Sequence, residues 1–346
     1  MDNSTPAKRK FCLVGMLPEE ILSIPNVTPS FRAKQIFKWV ASGVTSFEQM
    51  HNLPKELRNK LQSIALLRSS SVLQELKDPD GTIKLQIALW DGCVIETVLL
   101  TDSNGRKTAC VSCQAGCAMG CAFCQTGRLG LARNLETSEI VEQFMFLEQS
   151  AGSLDNIVFM GMGEPMMNLE AIRKAITILT HADGRGLSAR RITISTSGII
   201  KGIYDLADNG PSLRLAVSLT TANSELREQL MPVTKGNPLP QLKQAISYYT
   251  NKTGRRCTLE AALISKTNTS DKNAQEIIEF CKGLDVHINL IPWNPIQGMP
   301  FSKPTQNECT TFLKKLEKAG LNVTLRMPRG KKISGACGQL GKIILE

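Results

Sequence analysis

From residue 138 onward, short apolar runs alternate with longer segments in which apolar residues recur every three or four positions. This pattern predicts strands for the short runs and helices for the longer segments. The predicted strands are NIVFMG, RRITIST, LRLAVSL, TLEAALI, VHINLIP and NVTLRM. The predicted helices are SEIVEQFMFLEQ, NLEAIRKAITILT, QLKQAISYYT, NAQEIIEFC and ECTTFLKKLEKA. Such alternation favours parallel strands with right-handed crossovers, arranged as a full or partial barrel of about six units.

The first hundred residues follow two other patterns. Between residues 16 and 66, apolar positions at helical spacing lie between Pro and Ser/Thr breaks, which predicts a small helical domain over residues 1–68. Residues 72–100 alternate apolar and polar positions around a PDGT turn, which predicts a β meander. We therefore expect an α/β chain in which residues 69–346 form the meander, a partial (β/α)6 barrel and a C-terminal loop.

Charge and cysteine content narrow the function. The formal net charge is +10, and basic residues cluster in PAKRK, GRGLSARR and RMPRGKK, so we expect a polyanion as partner. The N-terminus lacks the length and cleavage site of a secretory signal, and no apolar run is long enough for a membrane span. We expect a cytoplasmic protein. In a reducing compartment, cysteines such as the eleven of this chain more often bind metal or act in catalysis than form disulfides.

Five of these cysteines lie between Cys110 and Cys124. A zinc site built from Cys110, Cys113, Cys121 and Cys124 has a spacer far shorter than the usual 15–20 residues or so, and it leaves Cys117 unexplained. The alternative is the C-x3-C-x2-C spacing of Cys117, Cys121 and Cys124, which provides three thiolates for a [4Fe–4S] cluster. The fourth iron of such a cluster is open to a ligand with amino and carboxylate groups.

That spacing, placed after the first strand of a βα barrel, resembles the radical S-adenosylmethionine superfamily. Further motifs follow it in order, and together they resemble the RlmN and Cfr family of 23S ribosomal RNA adenine methyltransferases. These motifs are GCAMGCAFCQTG, ARNLETSEIVEQ, FMGMGEPMMN, ITISTSG, ELREQLMPV, INLIPWNP and ISGACGQL. The N-terminal FRAKQIFKWV and MHNLPKELR also fit the family pattern. The resemblance implies a radical S-adenosylmethionine barrel, a [4Fe–4S] cluster on Cys117, Cys121 and Cys124, and S-adenosylmethionine as cofactor.

The resemblance also implies three catalytic residues. One S-adenosylmethionine methylates Cys337, and a second gives a 5′-deoxyadenosyl radical that takes hydrogen from this methyl group. The resulting methylene radical adds to the adenine and leaves RNA covalently bound. Glu96 then removes the proton at the substituted ring carbon, and Cys110 attacks the sulfur of the adduct to form a disulfide.

The residues implied in cofactor binding stand near the ends of predicted strands. They are Gly163, Glu164, Ser195, Ser218, Leu219, Thr220 and Asn294. Two positions depart from the family pattern. Thr220 replaces the usual His and supplies a hydroxyl but no imidazole, while Cys113 replaces a usual Ser or Thr and places a second thiol close to Cys110.

Several alternatives remain open at this stage. The motifs do not separate C2 methylation, which we favour, from Cfr-like C8 methylation, nor do they decide whether transfer RNA is also a substrate. An iron–sulfur protein that binds RNA or senses redox state without turnover is a different class, but it does not need Glu96, Cys110 and Cys337. We further expect salt-sensitive RNA binding through RMPRGKK, an electron donor such as flavodoxin or ferredoxin, and a monomer.

Overall fold

A single ten-stranded sheet forms the centre of the protein. The structure is a computed structural model that describes residues 10–341, so PAKRK, apart from Lys10, lies outside the described residues. The strands are β1 Phe11–Cys12, β2 Ala65–Leu66, β3 Ser71–Lys77, β4 Ile83–Ala88, β5 Val94–Thr101, β6 Lys107–Cys110, β7 Gln114–Gly116, β8 Leu131–Asn134, β9 Asn156–Phe159, β10 Ile192–Thr196, β11 Arg214–Ser218, β12 Cys257–Leu263, β13 Val286–Pro292 and β14 Asn322–Leu325.

Eleven α-helices accompany this sheet within residues 10–341. They are α1 Pro18–Leu22, α2 Phe31–Ala41, α3 Lys55–Ile64, α4 Gln125–Arg128, α5 Thr137–Ala151, α6 Leu169–Thr180, α7 Ile200–Asn209, α8 Ser224–Leu230, α9 Leu239–Thr253, α10 Asp271–Cys281 and α11 Gln306–Lys318. Within residues 10–341, no helix combines the length and hydrophobicity that a membrane span requires.

The large sheet joins the predicted barrel to the predicted meander. Its order is β14-β13-β12-β11-β10-β9-β6-β5-β4-β3. Neighbouring strands from β6 and β9 through to β14 are parallel, whereas β3 to β6 pair antiparallel. The predicted α/β architecture of an open barrel with a meander is confirmed. The hydrophobic pattern missed β6, whose sequence KTAC carries little apolar signal, as well as α7 and the short α8.

The two faces of the parallel sheet differ in polarity because side chains alternate along a strand. The face towards the helices is apolar and belongs to the main core, with Ile157, Phe159, Ile194, Leu215, Val217, Leu259 and Leu290. The opposite face lines a cavity and carries many polar groups, including Thr108, Asn156, Thr193, Arg214, Thr258 and Asn289. The interior of the open barrel is therefore a chamber for a polar ligand rather than a packed core.

The N-terminal helices share the main core with the barrel. Buried residues of α1, α2 and α3 belong to the same hydrophobic cluster as those of α5 and α6. A Cβ at Gly15 would lie 2.9 Å from Ser138, so only glycine permits this approach of the N-terminal segment to α5. Lys174 of α6 pairs with Glu20 of α1 at 2.6 Å.

Candidate active site

A cavity of about 730 Å³ lies on the polar face of the parallel strands. Its walls include Cys110 on β6, Glu260 on β12 and Arg326 just after β14, and Cys124 and Cys337 line it as well. This volume is in the range of small-molecule and cofactor sites. The cavity therefore brings Cys110 and Cys124 together with Cys337, which lies more than two hundred residues away in the chain.

The loop from Cys117 to Cys124 is fixed by its backbone. The Cys117 amide donates to the Gly130 carbonyl at 2.7 Å, and the Cys124 amide donates to the Cys121 carbonyl at 3.1 Å. A Cβ at Gly127 would lie 2.9 Å from the Cys121 nitrogen, so glycine lets α4 begin directly beneath the loop. These contacts fix the backbone of the loop that carries the three cysteines.

The chemistry of these three thiols fits a polynuclear cluster. Burial raises the pKa of Cys117 to about 11 and also raises the pKa of Cys121, and the negative charge of Cys124 raises both further. Neighbouring buried thiolates therefore need a cationic group to stabilise them. In the described part of the chain, no three Cys, His, Asp or Glu side chains converge as ligands of a single metal ion. In a [4Fe–4S] cluster each of the three thiolates would bind a different iron, so a common position for one metal ion would not be required.

Cys110 and Cys337 are separated by more than two hundred residues but line the same cavity. Burial and the neighbouring Cys337 raise the pKa of Cys110 to about 12, while Arg326 opposes this shift. Burial also raises the pKa of Cys337, whose surface is open to the cavity. Every cysteine of the chain is a free thiol in the structure. Cys113 is buried and is not among the residues that line this cavity. Its backbone carbonyl accepts hydrogen bonds from neighbouring groups.

The loop that carries Cys337 is anchored on the PDGT turn between β3 and β4. The Gly330 amide donates to Asp80 Oδ2 at 2.8 Å, and the Lys332 amide donates to Asp78 Oδ2 at 2.9 Å. The sequence pattern predicts this turn only as a connection between two strands. The two aspartates were missed because their partners lie about 250 residues away in the chain.

The other end of this loop is attached to the cluster-binding region. The Gln125 amide donates to the Gly338 carbonyl at 2.8 Å, and Thr126 Oγ1 donates to the Leu340 carbonyl at 2.7 Å. Asn294 Nδ2 donates to the Cys337 carbonyl at 3.3 Å. Cys337 is therefore held between the meander, α4 and the end of β13.

Glu96 is deeply buried and fully paired. Its Oε1 lies 2.8 Å from Lys84 Nζ and 3.1 Å from Gln86 Nε2, while its Oε2 accepts a hydrogen bond from the Gly341 amide at 2.6 Å. Lys84 also donates to the Ser334 carbonyl at 3.4 Å. Glu96 shares a face of β5 with cavity residues, but the C-terminal segment covers it. Glu96 therefore lies beside the cavity, but its carboxylate is not exposed to Cys110 and Cys337.

Gly163 and Glu164 have packing roles that the sequence did not reveal. Gly163 has φ +105°, and a Cβ there would lie 2.6 Å from the Gln114 side chain, so this space is filled by protein. The Glu164 carboxylate accepts hydrogen bonds from the Met166 amide at 3.1 Å and the Ser197 amide at 2.7 Å. Burial raises the pKa of Glu164, and these hydrogen bonds oppose the shift. Glu164 thus connects the segments that follow β9 and β10.

Three of the other predicted cofactor residues, Asn294, Ser195 and Ser218, lie on the cavity side of the barrel. Asn294 lines the cavity. Ser195 and Ser218 lie on the inward faces of β10 and β11, two positions beyond the cavity residues Thr193 and Ala216. The structure therefore places these three side chains at the open face of the barrel.

Leu219 and Thr220 have buried side chains, and their backbone is joined to β12. Their amides donate to the Glu260 carbonyl at 2.9 and 3.1 Å, respectively. Thr220 has φ +60°, an uncommon conformation for a β-branched residue. One of the two departures from the family pattern, Thr220, thus lies at a strained backbone position.

Arg227, which was not predicted, organises the same strand ends. It is fully buried, and it donates to the Ser197, Ser218 and Leu219 carbonyls at 2.7, 3.1 and 3.2 Å. Burial lowers the pKa of Arg227 to about 10, and its positive charge opposes the rise in the pKa of Cys121. The ELREQL segment thus supplies a buried cation close to the thiol loop, but a single arginine in a helix gives no sequence signal for this role.

Two family profiles match the chain. Residues 111–281 match the radical SAM superfamily, and residues 28–67 match the ribosomal RNA large subunit methyltransferase N-terminal domain.

Curated relatives and a solved structure agree with these matches. A Treponema denticola protein named probable dual-specificity RNA methyltransferase RlmN is 61% identical and covers 97% of each chain. A Geobacillus thermodenitrificans protein of the same name is 42% identical over 90% of this chain and 86% of its own. The crystal structure of a radical SAM methyltransferase from Sphaerobacter thermophilus has a TM-score of 0.91 at 41% identity, covering 95% of this chain and 99% of that one.

Proposed function

The chain belongs to the RlmN family of radical S-adenosylmethionine methyltransferases, and from this membership we propose that it methylates an adenosine ring carbon in RNA. The favoured substrate position is C2 in 23S ribosomal RNA. The relatives are named dual-specificity RNA methyltransferases, which supports a second RNA substrate, and we propose transfer RNA for it. The observation that carries the proposal is the shared cavity of Cys110, Cys124 and Cys337, because an RNA-binding protein without turnover needs no such arrangement.

The family's cofactors are S-adenosylmethionine and a [4Fe–4S] cluster. When bound, they supply the radical chemistry that an sp2 carbon requires, since its C–H bond offers no lone pair to a sulfonium methyl group. Cys117, Cys121 and Cys124 would hold the cluster. Asn294, Ser195 and Ser218 offer polar groups to S-adenosylmethionine from the strand ends, and Gly163, Glu164, Leu219 and Thr220 shape the surrounding loops.

The protein's own residues carry the methyl group and release the product. Cys337 Sγ accepts the methyl group and bears the carbon that becomes bonded to adenine. The Cys110 thiolate attacks Cys337 Sγ, so that an S–S bond forms, the S–C bond breaks and the departing carbon takes up a proton to become the methyl group. Before this release, Glu96 takes the proton from the substituted ring carbon as the adduct gives up its unpaired electron, for which the oxidised cluster would be the acceptor. Because Gly341 and Lys84 occupy the carboxylate oxygens, removal of the proton requires the C-terminal segment to move from Glu96.

RNA contacts are assigned to two basic surfaces. Arg329, Lys331 and Lys332 belong to the loop that ends at Cys337, and they bring phosphate groups towards the cavity. The N-terminal domain, residues 1–68, adds Arg32, Lys34 and Lys38 of α2. A flavodoxin- or ferredoxin-type donor supplies electrons, and the enzyme acts as a monomer.

The direct test is mass spectrometry of digested ribosomal and transfer RNA from cells with and without the gene. The expected result is 2-methyladenosine that depends on the wild-type protein and is absent with Cys337→Ala. Detection of 8-methyladenosine instead would reassign the ring position to the Cfr-like alternative. No difference between the RNA pools would refute methyltransfer.

A further inference from the structure

Glu260 is a buried carboxylate, and one of its oxygens has no hydrogen-bond partner among the described residues. It stands on β12, lines the cavity and is 7% exposed. Its Oε1 accepts a hydrogen bond from Asn289 Nδ2 at 2.9 Å, whereas Oε2 is buried with no hydrogen-bond partner among the described residues. An unsatisfied buried oxygen of this kind is costly unless a ligand supplies a donor. The oxygen therefore indicates a binding position.

Arg326 lies next to this oxygen without hydrogen-bonding to it. Arg326 Nη1 is 4.0 Å from Glu260 Oε2, which is an ion pair beyond hydrogen-bond length. The Arg326 amide donates to the Leu290 carbonyl at 2.9 Å, so its backbone is fixed at the end of β14. The cavity thus presents a fixed acceptor beside a group that has several donors.

We propose that Glu260 and Arg326 bind the hydrogen-bonding edge of an adenine ring. Adenine carries an amino group at position 6 that donates, next to ring nitrogens that accept. Glu260 Oε2 receives the amino group, and Arg326 donates to a ring nitrogen. Enzymes that act on a base commonly read its edge in this way after taking it out of the stack. This inference rests on the proposed function, because it takes the ligand to be an adenosine.

Adenine occurs both in S-adenosylmethionine and in the substrate RNA, and the structure favours the RNA. Glu260 and Arg326 share a cavity with Cys337, whose sulfur must reach the target base. Arg326 also begins the RMPRGKK segment, and Arg329 of that segment lines the same cavity. A nucleotide whose phosphates contact this segment therefore places its base beside the pair.

The test compares two short RNAs that differ only at the target position, which holds adenosine in one and purine riboside, without the amino group, in the other. Binding to holoenzyme is measured by fluorescence anisotropy. Loss of a hydrogen bond to a charged group weakens binding by roughly tenfold to a hundredfold. The wild-type protein should show this discrimination. Glu260→Gln should bind the adenosine RNA more weakly and discriminate little between the two RNAs.

Glu317→Gln is the matched control, because Glu317 is exposed on α11. It should discriminate as the wild type does. S-adenosylmethionine affinity is measured in parallel, with iron content and melting temperature as checks of folding. Unchanged S-adenosylmethionine affinity in Glu260→Gln supports the RNA assignment. Loss of that affinity with full RNA discrimination would instead assign the pair to the cofactor and overturn the proposal.

Two further outcomes separate this inference from the proposed function. If the wild-type protein binds both RNAs equally and still methylates the adenosine RNA, the inference is wrong and the proposed function stands. If it binds neither RNA, both are wrong. Arg326→Lys gives an independent reading, because replacing a planar guanidinium with a single ammonium group should weaken adenosine RNA binding by about tenfold. Unchanged affinity of this variant for the adenosine RNA would show that Arg326 does not contact the adenine.

Discussion

Glu96 on β5 and Glu260 on β12 are both buried glutamates on the central sheet, but their pairing differs. Glu96 has partners at both oxygens, from Lys84, Gln86 and Gly341. Glu260 has Asn289 at one oxygen and no hydrogen-bond partner at the other within the described structure. A fully paired carboxylate is held until its partners move, whereas a partly paired one is ready for a ligand. We therefore assign Glu96 to a step that follows loop movement and Glu260 to recognition.

Glu96→Gln tests the first half of this comparison and has the largest expected effect. Loss of a general base lowers turnover by about 10²–10⁴-fold. Because the missing step is release, nuclease-treated Glu96→Gln protein should retain a nucleotide on Cys337, visible as added mass. Glu260→Gln should show no such retention, since it acts before bond formation. Normal turnover by Glu96→Gln would exclude Glu96 as the base.

Lys84→Met tests the buried ion pair between Lys84 and Glu96. Lys84 and Glu96 side chains are each 3% exposed, so removing the cation leaves an uncompensated buried charge. Breaking a buried pair in this way typically costs about 3–5 kcal/mol of unfolding free energy. Lys77→Met on the exposed part of the same hairpin is the control and should change stability little. A Lys84→Met protein as stable as the control would mean that the pair is not maintained in solution.

Asp80→Asn tests how the meander anchors the Cys337 loop. The Gly330 amide loses a charged acceptor, for which about 1.5–3 kcal/mol is typical, and the loop should exchange amide hydrogens faster. Hydrogen exchange of residues 328–338 measures this effect. Asp102→Asn, on the turn between β5 and β6, is the control. Equal protection of the loop in both variants would show that Asp80 does not anchor it.

The smallest effect concerns the pH dependence of stability. Burial raises the pKa of Glu260, although Arg326 opposes the shift. Above about pH 4, near the ordinary carboxyl pKa, the unfolded chain therefore loses this proton before the folded protein does, and folding stability falls as pH rises. Glu260→Gln should remove this loss, so its stability relative to wild type should increase from pH 4 towards neutrality. Denaturant unfolding at pH 4 and at neutral pH measures the difference in unfolding free energy between Glu260→Gln and the wild type. A difference that does not change with pH would contradict the raised pKa.

The sequence predicted the elements well, because each carries its own periodicity. The alternation in RRITIST and the helical spacing in NLEAIRKAITILT require no distant partner to be recognised. The C-x3-C-x2-C spacing can likewise be recognised within one short segment of the sequence. By contrast, β6 was missed because its four residues become a strand by pairing with β5 and β9.

The site was predictable only where residues stand in a motif. Cys110 and Cys337 were identified through resemblance, and the structure adds the cavity that they share. Lys84, Asp80 and Arg227 were not found, because each acts on a backbone or carboxylate group that folding brings to it. Glu260 reads as an ordinary strand residue in TLEAALI. That one of its oxygens has no hydrogen-bond partner in residues 10–341 can be seen only in the folded structure.

The most direct test of the account is the intact mass of Cys110→Ala/Cys113→Ala protein after nuclease treatment. Cys113 is replaced as well because its thiol lies only three residues from Cys110. If Cys337 carries the carbon that joins adenine and Cys110 releases it, this protein should bear trimmed RNA on Cys337. The additional change Cys337→Ala should abolish the added mass. Full turnover by Cys110→Ala/Cys113→Ala with no trapped RNA would contradict the account.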